Sequence, residues 1–314
     1  LLIIDEAHQV VPEANEATAV SFSDHSNRSL RLENLVSRIL ARRPDVTRIA
    51  LTAVAGGASG PVARWIEGDP DADAVGVRYR STRQVIGVLE TSPGTSGQIL
   101  LDLMNGKPLY LKGQENPVYL PLRYEAMPQL PSQWRNSLNR FNSLTVLWTA
   151  LHLAREDQRI LISVAQEPEQ TMRWFKEALE LDAWDAIVDF EAPEGRLGER
   201  FEEACAACRD YCGPDSFELF LLERGIATSH GQMPQRLRRL MVEMIDKKIC
   251  PITVATATLT EGVNLPFDLI FLTSLKRRSW DPVEEEPVVI PYTTAEFRNL
   301  AGRAGRPGAS RGVE

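Results

Sequence analysis

Short apolar runs alternate with an amphipathic stretch at the start of the chain. Residues 1–5 and 48–52 are apolar at most positions, and residues 33–42 repeat apolar side chains at the spacing of one helical face. A continuous apolar run indicates a strand that is covered on both faces of a parallel sheet. The pattern therefore predicts strand, helix and strand, which is the beginning of a parallel α/β layer.

A second series of alternating helices and strands is predicted in the C-terminal half of the chain. The predicted helices cover residues 144–155, 169–181, 198–211 and 235–247, and the predicted strands cover residues 159–164, 225–228, 252–256 and 269–273. Residues 91–142 are rich in proline, glycine and asparagine and show no long helical period. We predict an α/β fold in three parts, with a first lobe over 1–90, a connector or insertion over 91–143 and a second lobe over 144–314.

Composition narrows the class of protein. A chain of 314 residues that is 43% apolar and 25% charged has the balance of a globular protein with room for about two domains. Since it contains no long apolar run and no basic-then-apolar leader, we expect no membrane partner, no signal peptide and a cytoplasmic location. The net charge of −8 argues against a protein that coats nucleic acid with a broad basic face. Leu1 already lies inside an apolar run, so we expect further residues upstream.

Two acids follow the first apolar run, in the sequence Asp5-Glu6-Ala7-His8. Open parallel sheets bind their ligands at the carboxyl ends of strands. A carboxylate such as Asp5 can hold a Mg²⁺ ion on the β- and γ-phosphates of a nucleotide there, and Glu6 can orient and deprotonate the attacking water. The alternative interpretation is a helix N-terminus, where two acids are favourable against the helix dipole.

Two arginines stand three residues apart near the other end of the chain, at Arg303 and Arg306, each preceded by a glycine. Guanidinium groups on one side of a helical turn, with glycines that permit close approach, suit the developing charge on a γ-phosphoryl group. A basic surface turn is the alternative.

Hydroxyl groups cluster after the predicted strand at residues 252–256. Residues 256–266 offer threonine hydroxyls and backbone amides, which can bind phosphate oxygens without net positive charge. The alternative is an ordinary hydroxyl-rich junction between a strand and a loop.

Together, the three segments resemble the superfamily 2 helicases, in the DEAD/DEAH-box branch that includes the Ski-type RNA helicases and their archaeal DNA-unwinding relatives. The resemblance extends from motif II at Asp5 to motif VI at Arg306, with residues 51–54 in the position of motif III and residues 229–234 between motifs IV and V. It implies two RecA-like parallel-sheet lobes, the first without its N-terminal half. It also implies ATP and Mg²⁺ as cofactors and a single strand of DNA or RNA across the lobes.

The resemblance carries roles over to individual residues. The expected catalytic residues are Glu6, Arg303 and Arg306. The residues expected to contact the nucleotide are Asp5, which also holds Mg²⁺, Gly262, Asn264 and Asn299. The residues expected to contact nucleic acid are Thr256, Thr258, His230 and Arg239. The residues expected to couple hydrolysis to strand movement are His8, Thr52 and Ala53.

The chain departs from the family pattern in three places. Val54 and Asn299 stand where the family usually has threonine and glutamine, and no Gly-x-x-x-x-Gly-Lys-[Ser/Thr] loop occurs. We therefore expect negligible ATP hydrolysis from residues 1–314 alone, and we expect the intact protein to need an upstream Walker A segment for activity.

Other functions stay open at this point. One is a nucleic-acid-binding or scaffolding subunit with weak or no ATPase activity, for which Val54 and Asn299 are clues. Another is a double-strand DNA translocase of a nuclease or remodelling complex. Iron–sulfur ligation is a further candidate chemistry, but we expect buried free thiols instead, because three ligands on one helix rarely close a site. The cysteines concerned are Cys205, Cys208, Cys212 and Cys250.

Overall fold

The chain divides into two compact units. A computed structural model describes residues 1–5, 7–11, 27–52, 59–75, 86–90, 98–102, 112–113, 120–155, 158–164, 168–256, 265, 267–281, 286–292, 297 and 300–304. Unit 1 comprises Leu1–Arg80 and Leu275–Gly302, and unit 2 comprises Ser81–Ser274 and Arg303–Glu314. The domain boundaries expected at residues 90 and 143 stay a prediction.

Unit 1 contains a parallel pair of strands, an antiparallel hairpin and two α-helices. Its elements are β1 (Leu2–Ile4), a 3-10 helix (Ala7–Val10), α1 (Arg28–Arg42), β2 (Arg48–Ala50), α2 (Ser59–Glu67), β10 (Lys276–Asp281) and β11 (Glu286–Pro291). β1 pairs with β2 in parallel, and β10 pairs with β11 antiparallel. The predicted order of strand, helix and strand is confirmed, and α1 begins five residues earlier than its apolar pattern indicated.

One face of the β1–β2 pair is packed against helices. Ile4 of β1 lies in a buried cluster with Ala7, with Val36 of α1 and with Val62 and Ile66 of α2. These side chains come from every element that flanks the two strands. The cluster therefore fixes the end of β1 at which Asp5 stands.

The other face of the same pair is open. Leu1, Ile3, Ile49 and Leu51 keep 75%, 56%, 40% and 47% of their surfaces exposed. Ile3 and Ile49 are neighbours in the strand register, so the four side chains form a continuous apolar stripe, which we call the open face. A continuous apolar run needs cover on both faces, and the described residues cover only one face of this pair.

Unit 2 is built on a four-stranded parallel sheet. Its later elements are α3 (Ser132–Arg135), α4 (Leu138–Leu153), β6 (Ile160–Ser163), α5 (Pro168–Leu179), α6 (Asp182–Asp185), α7 (Gly195–Cys212), α8 (Phe217–Leu222), β7 (Ile226–Ser229), α9 (Gln235–Asp246), β8 (Ile252–Ala255) and β9 (Leu269–Leu272). The strand order is β7-β8-β6-β9. All four strands lie where the apolar runs predicted them, so the expected α/β class with parallel sheets is confirmed.

A separate antiparallel sheet precedes this parallel core. It consists of β3 (Ile86–Glu90), β4 (Gln98–Asp102) and β5 (Leu120–Arg123), paired in that order. The strand-like run at residues 118–122 of the sequence overlaps β5, and no strand is predicted at β3 or β4. Leu89 of β3 packs against the main core of unit 2.

The core of unit 2 covers both faces of the parallel sheet. Every residue of β6, β7 and β8 is buried. Trp148 and Trp184 meet edge to face with their ring centroids 4.9 Å apart, and Trp148 donates from Nε1 to the carbonyl oxygen of Glu125 at 3.0 Å. The strand ends therefore rest on a rigid, well-packed layer.

A glycine fixes the entry into β7. Gly225 has a φ of +74°, and a Cβ atom there would come within 2.4 Å of the Phe190 ring. Both the backbone angle and the close approach exclude larger residues at this turn.

Among the described residues, no helix is long and apolar enough to cross a bilayer.

Candidate functional site

The carboxyl ends of β7 and β8 lie side by side in unit 2. Ser229 is paired with Ala255 in the register, and the N–H of Thr256 donates to the carbonyl oxygen of Ser229 at 3.2 Å. Therefore His230 and Thr256, which are both expected nucleic-acid contacts, leave the sheet at the same edge on adjacent strands. This is the edge at which parallel α/β sheets place their ligands.

The side chain of His230 faces inward rather than outward. Its ring is 11% exposed, and Nε2 lies 3.2 Å from Oε1 of Glu218 on α8. Burial alone raises the pKa of Glu218, but the hydrogen bond and positive charge from His230, with a backbone N–H, bring that pKa below its usual value. The carboxylate is therefore ionised and holds the imidazole through Nε2–H. The buried Nδ1 has no hydrogen-bond partner among the described residues.

Arg238 of α9 closes the turn that follows β7. Its Nη2 donates to the carbonyl oxygens of His230, Gly231 and Met233 at 3.2, 3.1 and 3.2 Å. Met233 also donates its N–H to the carbonyl oxygen of His230 at 3.2 Å. Gly231 and the next residue along the turn are exposed, as is Arg239, the expected nucleic-acid contact on the same helix.

The segment around Arg303 is tied to the chain just before β9. The N–H of Phe267 donates to the carbonyl oxygen of Arg303 at 3.1 Å, and Phe267 forms a parallel bridge with Ala304. Only 4% of Arg303 is exposed. The guanidinium group is thus held inside unit 2 and is not part of a loose surface turn.

The expected coupling residues of unit 1 meet directly. His8 Nδ1 lies 3.1 Å from the hydroxyl oxygen of Thr52, which joins the segment after β1 to the segment after β2. Ala7 donates its N–H to the carbonyl oxygen of Leu51 at 2.9 Å and so closes the same gap along the backbone. His8 and Thr52 are 44 residues apart in sequence, and their contact connects the end of β1 to the end of β2.

Asp5 stands at this strand end with an exposed side chain. The described residues contain no group of three or more His, Cys, Asp or Glu side chains that could hold a metal ion. A single carboxylate at a strand end nevertheless fits Mg²⁺, which proteins bind through one or two carboxylates together with substrate phosphates and water. Asp5 therefore fits a magnesium–nucleotide site and no all-protein metal cage.

Seven of the expected site residues fall on positions that the structure does not describe. They are Glu6, Ala53, Thr258, Gly262, Asn264, Asn299 and Arg306. Their roles, like those of the other expected site residues, stay predictions.

All four cysteines are free thiols, of which Cys205, Cys208 and Cys250 are buried and Cys212 is half-buried. Desolvation raises the pKa of Cys205 to about 11 and also raises the pKa values of Cys208, Cys212 and Cys250. Protonated thiols are poor metal ligands. All four cysteines lie in the described part of the chain, where no group of three or more His, Cys, Asp or Glu side chains is placed to hold a metal ion.

Sequence reasoning missed Glu218 and the carbonyl contacts of Arg238. Glu218 lies on α8, a helix of six residues that are mostly apolar and show no clear helical period. A signal was present in Ser216, whose side chain caps α8 by accepting from the N–H of Leu219 at 3.3 Å. The direction of the Arg238 side chain has no counterpart in the sequence pattern.

A family match decides the class of protein. Residues 207–308 match the helicase conserved C-terminal domain. Over this region the chain is similar to the conserved C-terminal domain of helicases. The matched region covers α8, β7, α9, β8, β9, β10 and β11, together with the Arg303 segment. The resemblance inferred from the motifs is confirmed at this level, and the Ski-type branch stays a prediction.

Known helicases resemble the chain over part of its length. The ATP-dependent DNA helicase Hel308 of Pyrobaculum calidifontis is 36% identical over 91 residues, which is 28% of this chain and 12% of that protein. The antiviral helicase SKI2 of Saccharomyces cerevisiae is 34% identical over 88 residues, or 28% of this chain and 6% of that protein. The matched region thus spans about a tenth or less of these curated relatives.

One solved structure aligns with nearly the whole chain. It is the DUF1998 helicase MrfA bound to DNA and AMPPNP, which aligns with 97% of this chain and 28% of its own chain. The identity is 12% and the TM-score is 0.42.

Proposed function

We propose that the chain is part of an ATP-driven motor that unwinds DNA or RNA or moves along it. The observation that supports this most is the hydrogen bond between His8 and Thr52, since it joins the two segments expected to link hydrolysis to strand movement. A direct contact of this kind gives a change at the end of β1 a route to the end of β2.

In this proposal, unit 1 supplies the hydrolytic groups. Asp5 would hold Mg²⁺, which would supply positive charge against the phosphates of the nucleotide. Glu6 orients the attacking water and accepts its proton. Arg303 and Arg306 supply positive charge for the γ-phosphoryl group in the transition state. Gly262, Asn264 and Asn299 are proposed to contact the nucleotide.

The nucleic-acid strand is proposed to bind at the carboxyl edge of the unit 2 sheet. The backbones of His230 and Thr256 leave the sheet there on adjacent strands, with the His230 side chain turned inward, and Thr256, Thr258 and Arg239 are the proposed side-chain contacts. Hydroxyl and backbone groups at this edge bind phosphate oxygens without a large basic surface. The site is therefore compatible with a net charge of −8.

The test is ATP hydrolysis by the longest product of the reading frame, with and without oligonucleotide. We expect turnover that nucleic acid stimulates, and we expect Glu6→Gln to lower kcat by about 100-fold or more while nucleotide binding persists, because only the base is lost. Residues 1–314 alone should show negligible turnover, because they lack the phosphate-binding loop. Glu6→Gln with unchanged turnover would contradict the proposed mechanism.

A helicase assay run in parallel distinguishes a motor that unwinds nucleic acid from one that moves along double-stranded DNA. Strand displacement supports unwinding, whereas triplex displacement without strand displacement indicates a translocase on double-stranded DNA. A full-length product that binds nucleic acid and hydrolyses no ATP would instead be the scaffolding subunit.

A further inference from the structure

We propose that Arg238 is a positioning residue for nucleic-acid binding, holding the turn at residues 230–233 in shape while exposed groups of that turn meet the strand. We call residues 230–233 the β7 turn. The inference rests on the proposed function, in which the carboxyl edge of the unit 2 sheet binds nucleic acid. An arginine at a phosphate-binding edge is ordinarily taken to contact phosphate directly.

The hydrogen bonds of Arg238 favour the positioning role. Nη2 carries two N–H donors, and three carbonyl oxygens of the β7 turn lie within 3.1–3.2 Å of it. These acceptors engage both donors of Nη2, so this end of the guanidinium group is committed to the backbone of the turn. The contact also places the guanidinium charge against the negative ends of three peptide dipoles.

The β7 turn is also held by Glu218. The ionised carboxylate of Glu218 fixes His230 through Nε2, and the His230 side chain is largely buried. Thus the imidazole is directed inward, and the exposed part of the turn is Gly231 and Gln232. α8 and α9 therefore both restrain one short turn.

Restraint of this kind affects binding without adding a phosphate contact. A turn that is already in its bound conformation loses less conformational freedom when it meets the strand. Removal of the restraint should weaken binding but leave the number of displaced counterions unchanged. The salt dependence of binding reports that number, at about 0.7 per phosphate neutralised on a single strand.

The experiment measures binding of the 314-residue chain to fluorescein-labelled 20-nucleotide oligo(dT) and oligo(U) by anisotropy over a series of KCl concentrations. The variants are Arg238→Ala, Arg238→Lys and Glu218→Gln, with Arg239→Ala as the matched control on the same helix. Circular dichroism checks that each variant folds. If Arg238→Ala does not fold, Arg238→Lys carries the comparison.

We expect Arg238→Ala to weaken binding about tenfold with an unchanged salt slope, whereas Arg239→Ala reduces the slope by about 0.7. Arg238→Lys should not restore affinity, although it keeps the charge, because the lysine side chain is one atom shorter and its ammonium group does not reach the position of Nη2. Glu218→Gln should also weaken binding, although the loss of a negative charge would strengthen a purely electrostatic interaction.

Two results would overturn the positioning role alone. One is a slope reduction in Arg238→Ala equal to that in Arg239→Ala, and the other is full affinity in Arg238→Lys. If the unchanged chain binds neither oligonucleotide, the proposed nucleic-acid site fails and the inference fails with it.

Discussion

Burial controls the acidity of the cysteine thiols in unit 2. Cys205 is 4% exposed, and desolvation, followed by the nearby charges of Glu202 and Glu223, raises its pKa from 9.0 to about 11. The unfolded chain therefore releases this proton at lower pH than the folded chain. Stability from the buried thiol is complete below about pH 9 and is lost as the pH rises towards 11.

The corresponding prediction concerns Cys205→Ala. The unchanged chain should lose stability between about pH 9 and 11, and the variant should lose about 1–3 kcal/mol less over that window. Urea denaturation followed by circular dichroism at pH 8, 9, 10 and 10.5 measures the difference. Cys212→Ala, which removes a half-buried thiol, is the control with a smaller effect. Identical pH dependence in the unchanged chain and Cys205→Ala would exclude this account.

Some individual residues of the candidate site could be located from the sequence, and others could not. Asp5 was predicted at a strand end because an apolar run followed by an acid marks that position. The meeting of His8 with Thr52 follows once two parallel strands end side by side. Glu218 could not be found in this way. Its partner, His230, lies twelve residues further along the chain, and α8, which carries Glu218, shows no clear helical period in the sequence.

At the scale of elements, the cap of α1 contributes to the small core of unit 1. The Asn27 side chain accepts hydrogen bonds from the N–H groups of Ser29 and Leu30 at 2.9 and 3.1 Å. These donors have no partner within the helix, so the cap satisfies them. α1 in turn supplies Val36 to the cluster that fixes β1.

We predict that Asn27→Ala destabilises α1 by about 1 kcal/mol, because two helix N–H groups lose their acceptor. Hydrogen–deuterium exchange of the α1 amides should speed up about fivefold, while exchange in α9 stays unchanged. Asn27→Ser, which keeps a capping oxygen, is the matched control and should resemble the unchanged chain. Equal protection of α1 in Asn27→Ala would show that packing alone holds this helix.

The predictability of an element depends on its length and neighbours. α9 has an apolar face that recurs through twelve residues, and its predicted range differs from the observed range by one residue. β3 and β4 lie in or beside a segment whose glycines and prolines indicate turns. Each of the two strands forms by antiparallel pairing with the other. Pairing between distant segments leaves little trace in a local pattern.

At the scale of the whole molecule, the open face of unit 1 is the largest departure from the expected burial. Exposed apolar side chains on paired strands favour association with a second copy or with other apolar surfaces. Leu35 of α1 is a useful contrast, because it is 56% exposed but does not belong to that stripe.

We predict that Ile49→Thr lowers self-association of the chain, because it interrupts the open face at its centre while keeping a β-branched residue in the strand. Light scattering and sedimentation velocity at several concentrations provide the measurement. Leu35→Thr removes similar exposed apolar surface elsewhere and should have little effect. If the two variants reduce association equally, general surface hydrophobicity is responsible and the open face has no special role.

The strand order of unit 2 has a consequence for synthesis of the protein. β6 lies between β8 and β9, and these neighbours begin about 90 residues or more after it. A ribosome that adds about 5–20 residues per second takes about 5–20 s to supply them. Throughout that interval the nascent chain carries a strand with no partner on either side, so its yield in a cell depends on the chaperones that shelter this strand.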